Sequence, residues 1–96
     1  MKAYIIVDVE VKDPVRYEAY KKLTPASLIP FQGKFIVRGG KSEIMEGTWQ
    51  PGRIVVLEFP SSDLARAWWS SSEYEPAKKI RQSSAVTQML LMEGYE

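Results

Sequence analysis

Three carboxylates and an arginine are the first residues here whose types and spacing could move a proton. Asp8, Glu10 and Glu58 fall on one face of two segments that read as neighbouring strands, and Arg38 is expected to join them from an adjacent hairpin. A carboxylate–guanidinium cluster at the end of a dry interface has two uses. It is a satisfied ion-pair network at the strand ends, or it is an anion site or a raised-pKa carboxylic acid. On the second use Glu58 or Asp8 is the candidate catalytic residue, a general base acting on an acidic C–H or O–H, with Arg38 stabilising the developing oxyanion.

The helices carry a second set of candidates: Tyr17, Tyr20, Trp68, Trp69 and Tyr74. Aromatic walls with phenol or indole donors suit a flat organic ligand, and aromatics at helical spacing equally suit a core. Trp68 and Trp69 are adjacent, so at least one of them is at a rim, an interface or a pocket. Arg81 follows a short helix opened by proline and lies near Lys78 and Lys79. It is either a solvated basic helix end facing its own carbonyls or a clamp for a ligand carboxylate. The candidate ligand-binding set is therefore Arg38, Arg81, Tyr20, Trp68 and Tyr74. Gly39-Gly40 calls for no phosphate, because two glycines in a hairpin have a purely conformational use and no Gly-rich strand-to-helix turn is present.

Composition removes whole classes of chemistry. There is no cysteine and no histidine, hence no thiolate nucleophile, iron–sulfur cluster, imidazole base or axial histidine for haem. Asparagine is absent too, so any oxyanion stabiliser comes from backbone N–H, Gln, Ser, Thr, Tyr, Trp or a cation. No cofactor and no metal are expected. Thirteen basic residues against twelve acidic ones give a net charge of +1 without a long like-charged run, which argues against nucleic acid as a partner. No apolar run is long enough to span a bilayer, and the amino terminus opens on a strand-like run, so a cytoplasmic protein without a membrane partner is expected.

The elements that must position these groups follow from hydrophobic period. Ala3 to Val11 alternates as a half-buried strand, with Ala3, Ile5, Val7, Val9 and Val11 on one face. Asp13 caps a helix that Pro14 opens, whose inward stripe is expected at Val15, Ala19, Leu23 and Ala26 and whose end precedes Pro30. Phe35 to Arg38 and Glu43 to Glu46 read as a hairpin around Gly39-Gly40. Arg53 to Phe59 is the strongest strand and should be central. After Pro60, Ser61 or Ser62 caps a helix with Leu64, Ala67, Trp68 and Ser71 inward. A second helical piece runs from about Tyr74 to Gln82, and Ala85 to Met92 forms the last strand.

The 96 residues thus read as one α+β domain, 1–96, of ferredoxin-like split β-α-β type, in the order β-α-β-β-α-β with an antiparallel sheet. Helices cover one face of such a sheet. The other carries Tyr4, Ile6, Ile54 and Val56, a patch apolar enough to call for a homodimer joined sheet to sheet.

A series of landmarks then stands in order: Asp13-Pro14, Tyr17, Tyr20, Arg38-Gly39-Gly40, Glu46-Gly47, Trp49-Gln50-Pro51, Arg53 and Glu58-Phe59-Pro60. With Ala65-Arg66-Ala67-Trp68, Ser72-Glu73-Tyr74 and Arg81, the chain resembles, over nearly its whole length, the small bacterial family known as domain of unknown function thirteen-thirty. The resemblance implies a dimeric α-β barrel. Relatives in that superfamily include cofactor-free monooxygenases, haem-degrading enzymes, dye peroxidases and non-catalytic ligand binders. It implies a fold and no established activity. Haem chemistry of that kind usually needs an axial histidine, and the monooxygenases lean on Asn and Trp, of which only Trp is present.

The expectation is an uncharacterised homodimer that binds a small anionic or aromatic metabolite in a cleft of each subunit. Arg38 and Arg81 neutralise it, Tyr20, Trp68 and Tyr74 wall it in, and Glu58 or Asp8 orients it. The alternatives are a cofactor-independent enzyme with a carboxylate general base assisted by Arg, and a non-catalytic accessory dimer.

Overall fold

A computed structural model describes residues 1–95. Strand β1 (Ala3–Val11) buries Ala3, Ile5, Val7 and Val9 and leaves Tyr4, Ile6 and Asp8 partly covered, the alternation of a strand with one wet or unpartnered face. Helix α1 (Pro14–Leu28) follows and runs into a 3-10 turn, Ile29–Phe31. Strands β2 (Lys34–Arg38) and β3 (Arg53–Phe59), helices α2 (Ser62–Trp69) and α3 (Glu75–Ser84), and strand β4 (Ala85–Glu93) complete the chain. The sheet order is β2-β3-β1-β4, every neighbouring pair antiparallel. This is the split β-α-β arrangement, with β1 and β3 central and the second helical segment broken into α2 and α3. No helix among the described residues is long and apolar enough to cross a membrane.

All three helices lie on the face of Ile5, Val7, Val9, Val55, Leu57 and Phe59, where Tyr17, Leu28, Ala65, Trp68, Tyr74 and Ala77 complete the core. The start of α1 is as its sequence dictates: Asp13 accepts from Arg16 N at 3.1 Å, and Pro14 occupies the first turn. Its inward face is not the expected one. Val15 is 85% exposed and Leu23 46%, and Ala19 and Ala26 also face out, while Tyr17, Thr24, Ser27 and Leu28 are buried. Hydrogen bonding decides the rotation. Tyr17 Oη takes Arg53 Nη1 at 3.1 Å and Ser27 Oγ takes Trp68 Nε1 at 3.0 Å, so the inward polar tips are satisfied there.

The expected hairpin does not form either. Glu43, Ile44, Met45 and Glu46 are exposed and belong to a loop between β2 and β3, and β2 pairs with β3 itself. Four residues with Glu at both ends offer no side to bury, so a strand there gains nothing from packing. The loop is pinned at its ends: Gly39 N donates to Ile54 O at 2.8 Å, Trp49 Nε1 to Asp8 Oδ2 at 3.1 Å, and Gly52 N to Asp8 Oδ1 at 2.8 Å.

In α2, Ser61 is the cap, accepting from Leu64 N at 3.2 Å. Trp68 is fully buried and Trp69 is 43% exposed; Ala65, not Ala67, accompanies Trp68 inward. The uncovered face of the sheet carries Tyr4, Ile6, Ile54 and Val56 as expected. Strand β4 adds Leu90 opposite Ile6 and Met92 opposite Tyr4, both about half exposed.

Candidate functional site

Pro25 sits inside α1 and has no N–H to give the carbonyl four residues back, at Lys21. Arg38 Nη2 donates to that Lys21 oxygen at 2.8 Å. A helix defect thereby fixes a guanidinium from β2 against α1. The same group stacks 4.2 Å from the Phe35 ring centroid. Arg38 stands beside Val55 in the β2–β3 register, after an irregularity between Phe35 and Val37, which puts it on the helix-covered face.

Arg53 reaches the same space from β3. It is bonded to Tyr17 and lies 5.7 Å above that ring. Gly39 makes this possible: its φ is +69°, and a Cβ there would stand 2.7 Å from Arg53 Nε. Behind them Arg81, 5% exposed, donates from Nε to Tyr74 Oη at 3.3 Å, and Tyr74 Oη lies 2.8 Å from Tyr20 Oη. Tyr74 also packs on Trp68 with ring centroids 3.9 Å apart.

Arg38, Arg53, Tyr17, Tyr20, Phe35 and Trp68 line one cavity between α1 and the sheet, together with Val7, Val9, Lys21, Thr24, Val55, Leu57 and Met89. Its void is about 20 Å³, room for one water. No carboxylate lines it. Among the described residues Arg38, Arg53 and Arg81 form no ion pair, whereas Lys2 and Lys34 pair with Glu58 and Lys78 pairs with Glu75. Arg38 is exposed and Arg53 partly covered, whereas Arg81 is withdrawn from water without a counter-ion, a costly arrangement that makes its surroundings welcoming to an anion.

Burial raises the Tyr20 phenol well above its usual range, reinforced by the neighbouring Tyr74 hydroxyl. Burial also raises Tyr17, against the opposing charge of Arg53. Both rings therefore stay protonated at neutral pH and act as hydrogen-bond donors, not as bases.

The five residues expected to bind ligand are thus gathered: Arg38, Tyr20 and Trp68 line the cavity, and Tyr74 and Arg81 stand behind Tyr20 in a hydrogen-bonded chain. The carboxylates do not join them, which corrects the shared cluster expected with Arg38. Asp8 and Glu58 lie on the uncovered face, because they alternate with Val7, Val9, Leu57 and Phe59 along their strands. Asp8 holds the loop through Trp49 and Gly52. Glu58 accepts Lys2 at 3.3 Å and Lys34 at 3.4 Å. Desolvation pushes the Glu58 carboxyl up, but those two ammonium groups outweigh it and hold it below the usual carboxylate range. A general base needs the opposite. Glu10 is exposed. Lys78 points away to Trp69 O at 3.0 Å and Glu75 at 3.3 Å.

The family model described as Domain of unknown function (DUF1330) matches residues 2–95. The chain belongs to the DUF1330 family. No curated protein matches it. Among solved structures, this DUF1330 chain is similar to a protein of unknown function from Rhodopseudomonas palustris, at 17% identity and TM-score 0.78, over 99% of this chain and 83% of that one. It is similar to a dimeric ferredoxin-like protein of unknown function from Jannaschia sp. CCS1, at 11% identity and TM-score 0.73, over 98% and 100%. It is also similar to SnoaB, a cofactor-independent oxygenase from Streptomyces nogalater, at 12% identity and TM-score 0.67, over 99% and 94%. These likenesses establish the ferredoxin-like fold.

Sequence reasoning missed Arg53 as a site residue in this DUF1330 chain. The signal was available in two places: Gly39 just past the end of β2, leaving space for the Arg53 side chain, and Pro25 in a helix, leaving a carbonyl for Arg38.

Proposed function

We propose that this chain binds a small organic anion by its charged head at the aromatic-walled cavity between α1 and the sheet, and that it does so as a homodimer. The observation that carries the binding reading is the gathering of Arg38, Arg53 and Arg81, none with a carboxylate partner, around a lining that contains no acidic residue. Arg38 and Arg53 meet the anion directly. Arg81 donates to Tyr74, whose hydroxyl shares a hydrogen bond with Tyr20, so the guanidinium holds the Tyr20 hydroxyl in place at the cavity wall. Trp68, Phe35 and Tyr17 give the flat apolar wall.

The dimer reading is supported by the apolar uncovered face and by the Jannaschia and Bacteroides fragilis relatives, both described as dimeric. The carboxylate-base enzyme finds no support in the geometry, since Asp8 and Glu58 face away from the arginines. An accessory dimer without ligand is the outcome if no anion binds.

Benzoate and inorganic phosphate test the reading by calorimetry and thermal shift. Benzoate at 100 times its dissociation constant should stabilise the fold by about 2.7 kcal/mol. Arg53→Met and Arg38→Met should each weaken it by about tenfold or more, the scale of a lost charge-assisted hydrogen bond. Equal affinity in wild type and both variants would contradict the assignment.

A further inference from the structure

A second space lies beside the arginine cavity. It is a cleft of about 460 Å³ between α2 and β4, lined by Ile5, Ala65, Arg66, Trp69, Met89 and Leu91 with Ser70 at its rim. The two spaces share Met89. They also share a floor: Val7 opposes Met89 and Ile5 opposes Leu91 in the β1–β4 register, so they lie two residues apart on the helix-covered face. That separation is roughly 7 Å along a strand.

Their chemistry and size are complementary. The first space holds guanidinium groups without counter-ions and has a void of about 20 Å³, too small for more than the head of a metabolite. The second has a volume within the range of metabolite pockets, roughly 300–1,000 Å³, and offers almost only apolar surface. Its one charged residue, Arg66, already pairs with Asp63 at 3.0 Å. The rest of its lining carries no charge. Met89 is the shared wall, and an unbranched thioether with three rotatable bonds moves aside at low cost.

We propose that the ligand is an amphipathic carboxylate, its anionic head at Arg38 and Arg53 and its apolar body in the α2–β4 cleft, with Met89 as the movable partition between them. This rests on the anion-binding reading above and adds the class of ligand. Size and lining decide it: the space with three arginines around it cannot hold the body, and the body-sized space is mostly apolar.

Calorimetry with benzoate, 3-phenylpropanoate and 5-phenylpentanoate on the full chain tests it, with 5-phenylpentanamide as the uncharged counterpart. Affinity should rise at least tenfold from benzoate to 5-phenylpentanoate, and the amide should lose at least tenfold. In Met89→Trp, where the indole fills the junction, the ratio of phenylpentanoate to benzoate affinity should fall to within threefold of one. Leu91→Gln, at a partly buried position of the edge strand β4, should lower the same ratio by threefold or more and stands in if Met89→Trp does not fold. If benzoate binds but the ratio is near one in the wild type, or is unchanged in both variants, the two-part ligand is wrong and the anion site stands alone. If none of the acids binds, both readings fall.

Discussion

The two faces of the sheet use charge in opposite ways. On the helix-covered face three arginines lie among aromatic rings and hydroxyls, hydrogen-bonded but without carboxylates. On the uncovered face each central carboxylate is occupied: Asp8 by the loop's Trp49 and Gly52, Glu58 by Lys2 and Lys34. Paired charges build a surface and close a loop. Cations without counter-ions keep the capacity to bind an anion: Arg81 is buried among aromatic rings, Arg53 is partly covered and Arg38 reaches solvent.

Trp68→Ala breaks the comparison most severely, because it removes a fully buried indole that packs on Phe59 and Tyr74 and bonds Ser27. Urea unfolding should show a loss of about 3–5 kcal/mol. Trp69→Ala, at a 43% exposed position, should cost about 1 kcal/mol or less. On the opposite face, Leu90→Asp places two charges in the proposed dimer interface without touching the arginine cavity. Sedimentation should show a dimer dissociation constant raised by roughly 100-fold, about 2.7 kcal/mol.

Smaller perturbations sharpen the contrast. Asp8→Asn weakens the loop latch by about 1 kcal/mol in thermal or urea unfolding and should leave benzoate affinity unchanged; a loss of binding would move the site to the other face. The pH limbs of stability separate the faces as well. The raised Tyr17 and Tyr20 phenols favour the protonated folded state, so their stabilisation is complete below the usual pKa of 10.0 and is lost as pH rises toward their folded values. Absorbance at 295 nm should show Tyr17 and Tyr20 ionising late, in step with alkaline unfolding. Glu58, held low, contributes above the usual carboxylate range and loses that contribution as pH falls through its folded value. Glu58→Gln should therefore lower stability at neutral pH, do little in acid, and so flatten the acid limb.

Most of the fold was legible because strands declare themselves by period. The limits of β1 and β3 follow from alternation and β-branched runs, and the caps at Asp13 and Ser61 from side-chain oxygens ahead of apolar helices. The inward face of α1 was not legible, since a hydrophobicity stripe weighs Val15 and Leu23 above Tyr17, Thr24 and Ser27, whose partners lie far along the chain. The cavity was half legible. Residue type nominated Arg38, Tyr20, Trp68, Tyr74 and Arg81, but which face each strand residue takes depends on a register irregularity in β2 that no local pattern encodes. That irregularity separates Arg38 from Glu58 and brings it to Arg53.

The most direct test is a nuclear magnetic resonance titration that follows the Nε–Hε signals of Arg38, Arg53 and Arg81 while benzoate is added, with the indole N–H of Trp49 as a reporter of the uncovered face. Shifts in the three guanidinium signals that saturate together, with Trp49 still, are the predicted result. Guanidinium signals that stay in place while Trp49 or its neighbours move would contradict the account.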